Sequence, residues 1–160
     1  MGKKEKKIAL ISKYIHNVSN YSSYEYGRIP SDVLRGAMLK YIGVVDKNDI
    51  LGIVDVSWNN SGNKGIAFTD KKIYYNNGLG LWENPKSISY MEINTHNQIP
   101  NDLLDKSRYN IEVLKELIGK LVEIHCETIY DKLEQGIDFT NKVLNALDTV
   151  VTIFDSSDKT

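Results

Sequence analysis

The sequence predicts an α+β fold with an N-terminal helix, a bent antiparallel β-meander and a C-terminal helical hairpin. Three patterns indicate it. Residues 31–43 repeat apolar side chains at helical spacing. Five short apolar runs, separated by turn residues, follow between residues 50 and 93. From residue 101 onward there is no proline, and apolar residues recur every three or four positions, which is typical of helices.

Length and composition limit the classes of protein to which the chain can belong. Its 160 residues suit one domain, and 41% hydrophobic with 26% charged residues is a globular composition. One cysteine excludes an intramolecular disulfide and an all-cysteine metal site. No apolar run reaches the roughly 18 residues of a membrane-spanning helix, and we expect no secretory leader, because only the four-residue apolar run Ile8–Ile11 follows the first lysines. We expect a cytoplasmic protein without a cofactor or bound metal.

Composition divides this domain into three segments. Residues 1–30 are basic and end in a polar, tyrosine-rich stretch without a clear period, so we expect an N-terminal arm. Residues 31–100 hold the predicted helix and sheet. Residues 101–160 have an excess of acidic side chains and are expected to pack on the sheet as helices. Two interpretations of the arm stay open: its tyrosines stack on a partner, or it packs across its own domain or is partly disordered.

The first helix is predicted to run from Ser31, a natural N-cap, to Gly43, a natural left-handed C-cap, and to dock on the sheet. Asn59–Asn63 and Thr69–Lys72 have the composition of turns, and Asn77-Gly78 is a two-residue hairpin signal. Crossover helices have no room between the strands, so the sheet is antiparallel. The predicted strands are residues 50–58, 64–69, 73–76, 79–82 and 87–93.

The middle segment also carries a more specific pattern. A leading helix is followed by Asp55 at the end of the first long strand, and then by Gly65–Tyr75, where a strand ending in Thr-Asp-Lys turns into a tyrosine-rich strand. Ile88-Ser89-Tyr90 continues this pattern. In these features residues 31–94 resemble bacterial pleckstrin-homology-like domains. The resemblance implies a strongly bent sheet, closed at one end by a C-terminal helix, and a binding or scaffold role without catalytic residues. The chain departs from the family in having five predicted strands rather than seven, and a longer helical C-terminal part.

The acidic segment is predicted to form an antiparallel pair of helices, at about residues 109–135 and 138–155, with Gly136 as the stop between them. One alternative stays open. Leu121–Thr128 also alternates like a strand, with apolar residues on one face and charged or polar residues on the other. The length of the periodic stretch favours the helix.

The most reactive side chains of the sequence are in residues 123–127, which include His125 and Cys126. Adjacent residues point about 100° apart on a helix and to opposite faces of a strand. His125 and Cys126 therefore cannot form a base–nucleophile pair with each other. No second histidine stands at metal-ligand spacing, so the structural interpretation is a buried cysteine and a hydrogen-bonded histidine. A small enzyme that uses His125 with a nearby carboxylate is an alternative.

Two groups of side chains are candidates for binding. An aromatic group near strand ends and turns is expected to include an exposed anchor of the kind that dominates protein interfaces, and core packing is its structural interpretation. An acidic group on the last helices is expected to face a basic partner or solvent. The aromatic candidates are Trp58, Tyr74, Tyr75 and Trp82, and the acidic candidates are Glu127 and Asp131.

We therefore expect a non-enzymatic cytoplasmic protein that recognises another protein, in one variant as an inhibitor or immunity-type antagonist of a basic toxin or nuclease. A second possibility is a peripheral membrane or lipid-binding module, since Lys3, Lys4, Lys6 and Lys7 open the chain. Self-association through the aromatic strands is a third. The low net charge and the scarcity of arginine do not favour nucleic acid.

Overall fold

Five strands form one open antiparallel sheet in a computed structural model that describes residues 1–79 and 82–127 of the chain. Each strand is hydrogen-bonded to the next one in the sequence, so the order across the sheet is β1-β2-β3-β4-β5. This confirms the predicted α+β class and the antiparallel meander. The strands are β1 (Ser22–Glu25), β2 (Ile50–Asp55), β3 (Gly65–Thr69), β4 (Lys72–Asn76) and β5 (Pro85–Ser89).

Four α-helices flank the sheet in the described part of the chain. The second of them continues into a π-helical turn at Met38–Ile42, and Gly43 ends it with a φ of 80°, as its C-cap role predicts. Short 3₁₀ turns lie at Ile15–Asn17 and Lys47–Asp49. The helices are α1 (Lys3–Tyr14), α2 (Ser31–Ala37), α3 (Tyr90–His96) and α4 (Ile111–His125).

One face of the sheet is covered by α1, α3 and α4. Apolar residues of these helices pack against alternate residues of the central strands and form the larger core. A bulge in β2 places the backbone of Gly52 directly under α1, where a Cβ atom would lie only 2.7 Å from Cγ2 of Ile11. Fully buried members of this core include Ile11, Ile15, Leu51, Phe68, Leu117 and Leu121.

The opposite face of the sheet is covered by α2, as its apolar spacing predicts. Val33 and Ala37 pack against Ile53 and Ala67, which point away from the larger core because neighbouring residues of a strand face opposite sides. The central strands are therefore buried on both faces. Their almost continuous apolar sequence is explained by this double cover.

The N-terminal segment differs from the predicted arm. Residues 3–14 are α1, and Ser22–Glu25 is β1, an edge strand paired with β2. Ile11, Ile15 and Val18 are 0% exposed, so this segment belongs to the core. Ile8, Leu10 and Tyr14 pack against the same core as partly buried residues. Ile8, Ile11, Ile15 and Val18 recur at steps of three and four residues, so the helical signal is present in the sequence, although lysines and polar residues surround it.

The connection after β4 also differs from the prediction. Asn77-Gly78 does not start a tight hairpin, since β4 pairs with Pro85–Ser89 across an eight-residue connection, and Leu79 and Trp82 are outside the strands. The predicted strand at residues 87–93 ends at Ser89. There the Ser89 hydroxyl accepts from the Glu92 N–H, and the Glu92 carboxylate accepts from the Ser89 N–H. This capping box starts α3.

Residues 1–126 form one compact unit, whose last helix is α4. Leu121–His125 is helical, so the helical interpretation of this stretch is confirmed as far as His125. The rest of the predicted helix at 109–135 and the whole predicted helix at 138–155 lie outside the described residues. Among the helices described, none is both long and apolar enough to cross a membrane.

Candidate functional site

Both tryptophans lie in connections at the same end of the sheet. Strands β2 and β4 run in the same direction, so the β2–β3 loop and the β4–β5 loop leave the sheet together. Trp58 is in the first loop and is 93% exposed, and Trp82 is in the second and is 70% exposed. Single exposed apolar residues are common on protein surfaces, but two exposed indoles at one end of a sheet are a recognisable surface feature.

A buried carboxylate holds the loop that carries Trp58. Asp55 is 1% exposed, and its Oδ1 accepts hydrogen bonds from the backbone N–H and the hydroxyl of Ser57. Its Oδ2 accepts from the N–H of Gly62 at 3.1 Å, and the Ser57 hydroxyl in turn accepts from the N–H of Ser61 at 2.9 Å. Hydrogen bonds to an ionised acceptor are about twice as strong as neutral ones. The loop around Trp58 is therefore fixed from inside.

The loop is also held from outside by α2. A Cβ atom at Gly36 of α2 would lie 1.8 Å from the carbonyl oxygen of Ser61, and one at Gly62 would lie 2.0 Å from the carbonyl oxygen of Val33. Gly62 also has a φ of 78°, a backbone conformation that would favour glycine even without this close contact. The two backbones approach each other more closely than side chains would permit.

A cleft of about 320 Å³ opens beside Trp58, and we call it the Trp58 cleft. It joins four parts of the sequence: the π-helical turn after α2, the β2–β3 loop, the segment around residue 83 and the segment around residue 108. Its walls are formed by Lys40, residues 56–59, Ser61, residues 63–64, Glu83 and Arg108.

The charges of the Trp58 cleft are mostly positive. Lys40, Lys64 and Arg108 line it together with one carboxylate, Glu83, which is paired with Lys40 at 2.9 Å. Burial lowers the pKa of Lys64, and the positive charge of Arg108 lowers it further, whereas Glu83 opposes this shift. The cleft therefore favours an anionic group over a cationic one.

Two buried polar atoms of the cleft residues have no hydrogen-bond partner: Nη1 of Arg108 and the hydroxyl oxygen of Ser61. The rest of the Arg108 guanidinium is engaged, since its Nη2 donates to the carbonyl of Gly78 at 3.1 Å and its Nε lies 3.6 Å from Oδ2 of Asp105. Buried polar groups in folded proteins are nearly always paired.

The aromatic candidates divide between surface and core. Trp58 and Trp82 are exposed, but Tyr75 is 3% exposed in the larger core, and Tyr74 packs against the core under α2. The Tyr75 hydroxyl donates to the Asp102 carboxylate at 2.9 Å, and burial, with this bond, raises its pKa. Tyr75 is thus not part of an exposed surface.

Of the acidic candidates, Glu127 is half-buried directly after α4, and Asp131 lies outside the described residues. Lys64 and Arg108 were not among the candidates that the sequence singled out. The one sequence signal that could have drawn attention to Arg108 is the scarcity of arginine, since the chain has only three. No feature of the neighbouring sequence connects Arg108 with residue 64.

His125 belongs to a polar cluster at the opposite end of the sheet. Lys7 of α1 is 1% exposed and donates to the carbonyl and the carboxylate of Asp70, in the β3–β4 turn, and to Nδ1 of His125 at 2.7 Å. Burial lowers the pKa of Lys7 and, together with the charges of Lys7 and Lys3, the pKa of His125. The Lys7 ammonium has three acceptors, which is its full capacity. The cluster connects α1, the turn and α4, and the sequence analysis did not find it.

Cys126 has different neighbours from His125, as the adjacency argument predicts: its Sγ lies 3.6 Å from Sδ of Met91. In residues 1–79 and 82–127, no three His, Cys, Asp or Glu side chains converge to hold a metal ion.

Comparisons with family models, with curated proteins and with solved structures find no match to the chain.

Proposed function

We propose that this chain is a non-enzymatic cytoplasmic binding protein that recognises another protein through Trp58, Trp82 and the cleft between their loops. The observation that carries the proposal is the 93% exposed indole of Trp58 on a loop that is held by the buried carboxylate of Asp55. Tryptophan is the side chain most enriched among interface residues that dominate binding energy.

The rigidity of the Trp58 loop supports this role. Exposure of a large apolar side chain contributes nothing to folding, whereas burial of an ionised carboxylate is costly unless it is fully hydrogen-bonded. In this loop the carboxylate of Asp55 accepts hydrogen bonds inside the fold, and the indole of Trp58 is exposed to solvent. A loop that is ordered before binding loses less conformational entropy in the complex, so its contacts contribute more to affinity.

The structure gives less support to the membrane alternative. That alternative depends on the lysines at the start of the chain, and three of them make contacts within the fold. Lys3 donates to the carbonyl of His125, Lys4 is paired with Asp49 at 3.0 Å, and Lys7 is buried. An enzyme that uses His125 has no specific support either. Nδ1 of His125 is already engaged, because it accepts one of the three hydrogen bonds that the buried Lys7 ammonium donates.

Affinity capture of the tagged full-length protein from its native host, with the bound species identified by mass spectrometry, is the first test. We expect one stoichiometric protein partner. With that partner purified, calorimetry should show that Trp58→Ala weakens binding at least about tenfold, because hot-spot tryptophans contribute about 2 kcal/mol or more.

Met91→Ala is the matched control, since Met91 is 52% exposed and lies in α3, at the opposite end of the sheet. This variant should bind the partner as the wild type does. The proposal fails if Trp58→Ala and Trp82→Ala both retain the same partner with the same affinity. Enrichment of lipid or of a small molecule in place of a protein would also contradict it.

A further inference from the structure

We infer that the Trp58 cleft binds a carboxylate group of an acidic segment of the partner protein, with Arg108 as the residue that receives it. The inference rests on the proposed function and specifies the chemistry of the partner. It is carried by the convergence of three cationic side chains and an exposed indole on one cleft of about 320 Å³, two of whose lining residues have a buried polar atom without a partner.

The first step concerns the donors. Arg108 and Ser61 are both lining residues of the cleft, and the buried Nη1 of Arg108 and the buried hydroxyl of Ser61 have no hydrogen-bond partner. An unpaired buried polar group costs about 1–3 kcal/mol, and more when it is charged. A carboxylate that accepts from both groups removes that cost on binding. Such a gain is absent for a neutral apolar ligand, and the positive charges of Lys40, Lys64 and Arg108 favour an anionic acceptor over a neutral one.

The second step concerns the charge of the anion. Arg108 is already bonded to Gly78 and close to Asp105, so it offers one further donor group rather than an open fork. The N–H groups of Ser57 and Gly62 are occupied by Asp55. A dianionic phosphate is disfavoured, because its second negative charge is repelled by the carboxylates of Glu83 and Asp105. A carboxylate, with one charge and two oxygens, fits the donors that are left.

The third step concerns access and size. The Arg108 side chain is 13% exposed and its Nη1 is buried, so the proposed binding includes a movement of the guanidinium that exposes Nη1 to the ligand. The volume of the cleft is larger than one carboxylate requires. We therefore expect the group to enter on a peptide whose neighbouring residue lies against the indole of Trp58.

The test uses the full wild-type chain, and calorimetry measures peptide binding. Two pools of short peptides are titrated, identical except for a fixed central Glu in one and Gln in the other, with uncharged residues elsewhere. We expect the Glu pool to bind saturably and at least about tenfold more tightly than the Gln pool. In Arg108→Gln the two pools should bind equally.

Two variants make the result interpretable if Arg108→Gln folds poorly. Ser61→Ala removes only a hydroxyl without a partner, so it should not lower the free energy of unfolding and should still weaken binding of the Glu pool. Arg28→Gln is the matched control, because Arg28 is exposed beyond the end of β1 that lies away from the cleft, and it should keep the preference for Glu.

Equal affinity of the wild type for both pools, or an unchanged Glu preference in Ser61→Ala and Arg108→Gln, would overturn the inference. So would tighter binding of inorganic phosphate than of the Glu pool, which would assign the cleft to phosphate. None of these three outcomes affects the proposed function, because protein recognition is judged separately by the loss of the captured partner in Trp58→Ala.

Discussion

At the scale of single residues, the most informative side chain of the fold is a buried lysine. Lys7 is 1% exposed, which is rare for this residue type, and its three hydrogen bonds explain how it is tolerated. It also lies 5.3 Å from the centre of the Tyr90 ring, whose hydroxyl donates to the carbonyl of Thr69. A charged group at this position links α1 to both the β3–β4 turn and the end of α4.

The Lys7 cluster makes stability depend on pH. His125 accepts from Lys7 only when Nδ1 is unprotonated, and its pKa is lowered from 6.5 by burial and by the charges of Lys7 and Lys3. Asp70 acts in the opposite direction, and Lys71 adds to the lowering. The unfolded chain therefore binds a proton at higher pH than the folded one, so the free energy of unfolding should fall as pH drops below about 6.5.

Urea denaturation between about pH 7.5 and pH 5 measures this slope, above the range in which the carboxylates titrate. His125→Gln should flatten it, since an amide oxygen still accepts from Lys7 and has no proton to gain. His96→Gln is the control, because His96 is exposed at the end of α3, and it should keep the wild-type slope. An unchanged slope in His125→Gln would assign the pH dependence to other groups.

At the scale of elements, two helical glycines illustrate how tertiary contacts override helix propensity. Alanine is favoured over glycine inside a helix by about 1 kcal/mol. Gly119 lies in α4 and a Cβ atom there would meet nothing within 4 Å, whereas at Gly36 in α2 it would lie 1.8 Å from the carbonyl oxygen of Ser61. The same substitution should therefore have opposite signs at the two positions.

We expect Gly119→Ala to raise the free energy of unfolding by up to about 1 kcal/mol and Gly36→Ala to lower it by about 1–3 kcal/mol. Chemical denaturation of both variants measures the difference. Gly36→Ala should also weaken partner binding, because the displaced backbone belongs to the Trp58 loop. Stabilisation by Gly36→Ala would show that α2 and this loop are not in close contact.

At the scale of the whole molecule, the sheet needs covering on both faces. Removal of residues 1–20 would expose Leu51 and Phe68 by taking away Ile11, Ile15 and Val18. We therefore expect this truncated chain to lose cooperative thermal unfolding and to bind a hydrophobic dye. A chain that begins at Lys3 is the control and should unfold like the full protein. Retention of cooperative unfolding after removal of residues 1–20 would mean that α1 is a dispensable arm.

The sequence by itself determined the elements whose signal is local. Helix α2 and its end at Gly43, the two-residue reversal at Asp70-Lys71, strands β2 to β4 and the helical state of Leu121–His125 all follow from periodicity and turn composition within a few residues. The exposure of Trp58 is consistent with the turn chemistry of residues 59–63, which predicts a surface loop.

Only the tertiary structure decided where separate segments meet. The parallel directions of β2 and β4 bring the loops of Trp58 and Trp82 to one end, and Arg108 reaches the same cleft from the end of a later loop. Likewise, Lys7 and His125 are 118 residues apart in the sequence and 2.7 Å apart in space. Periodicity describes which face of an element is apolar, but it contains no information about which distant residue lies opposite, because that is fixed by packing of the complete fold.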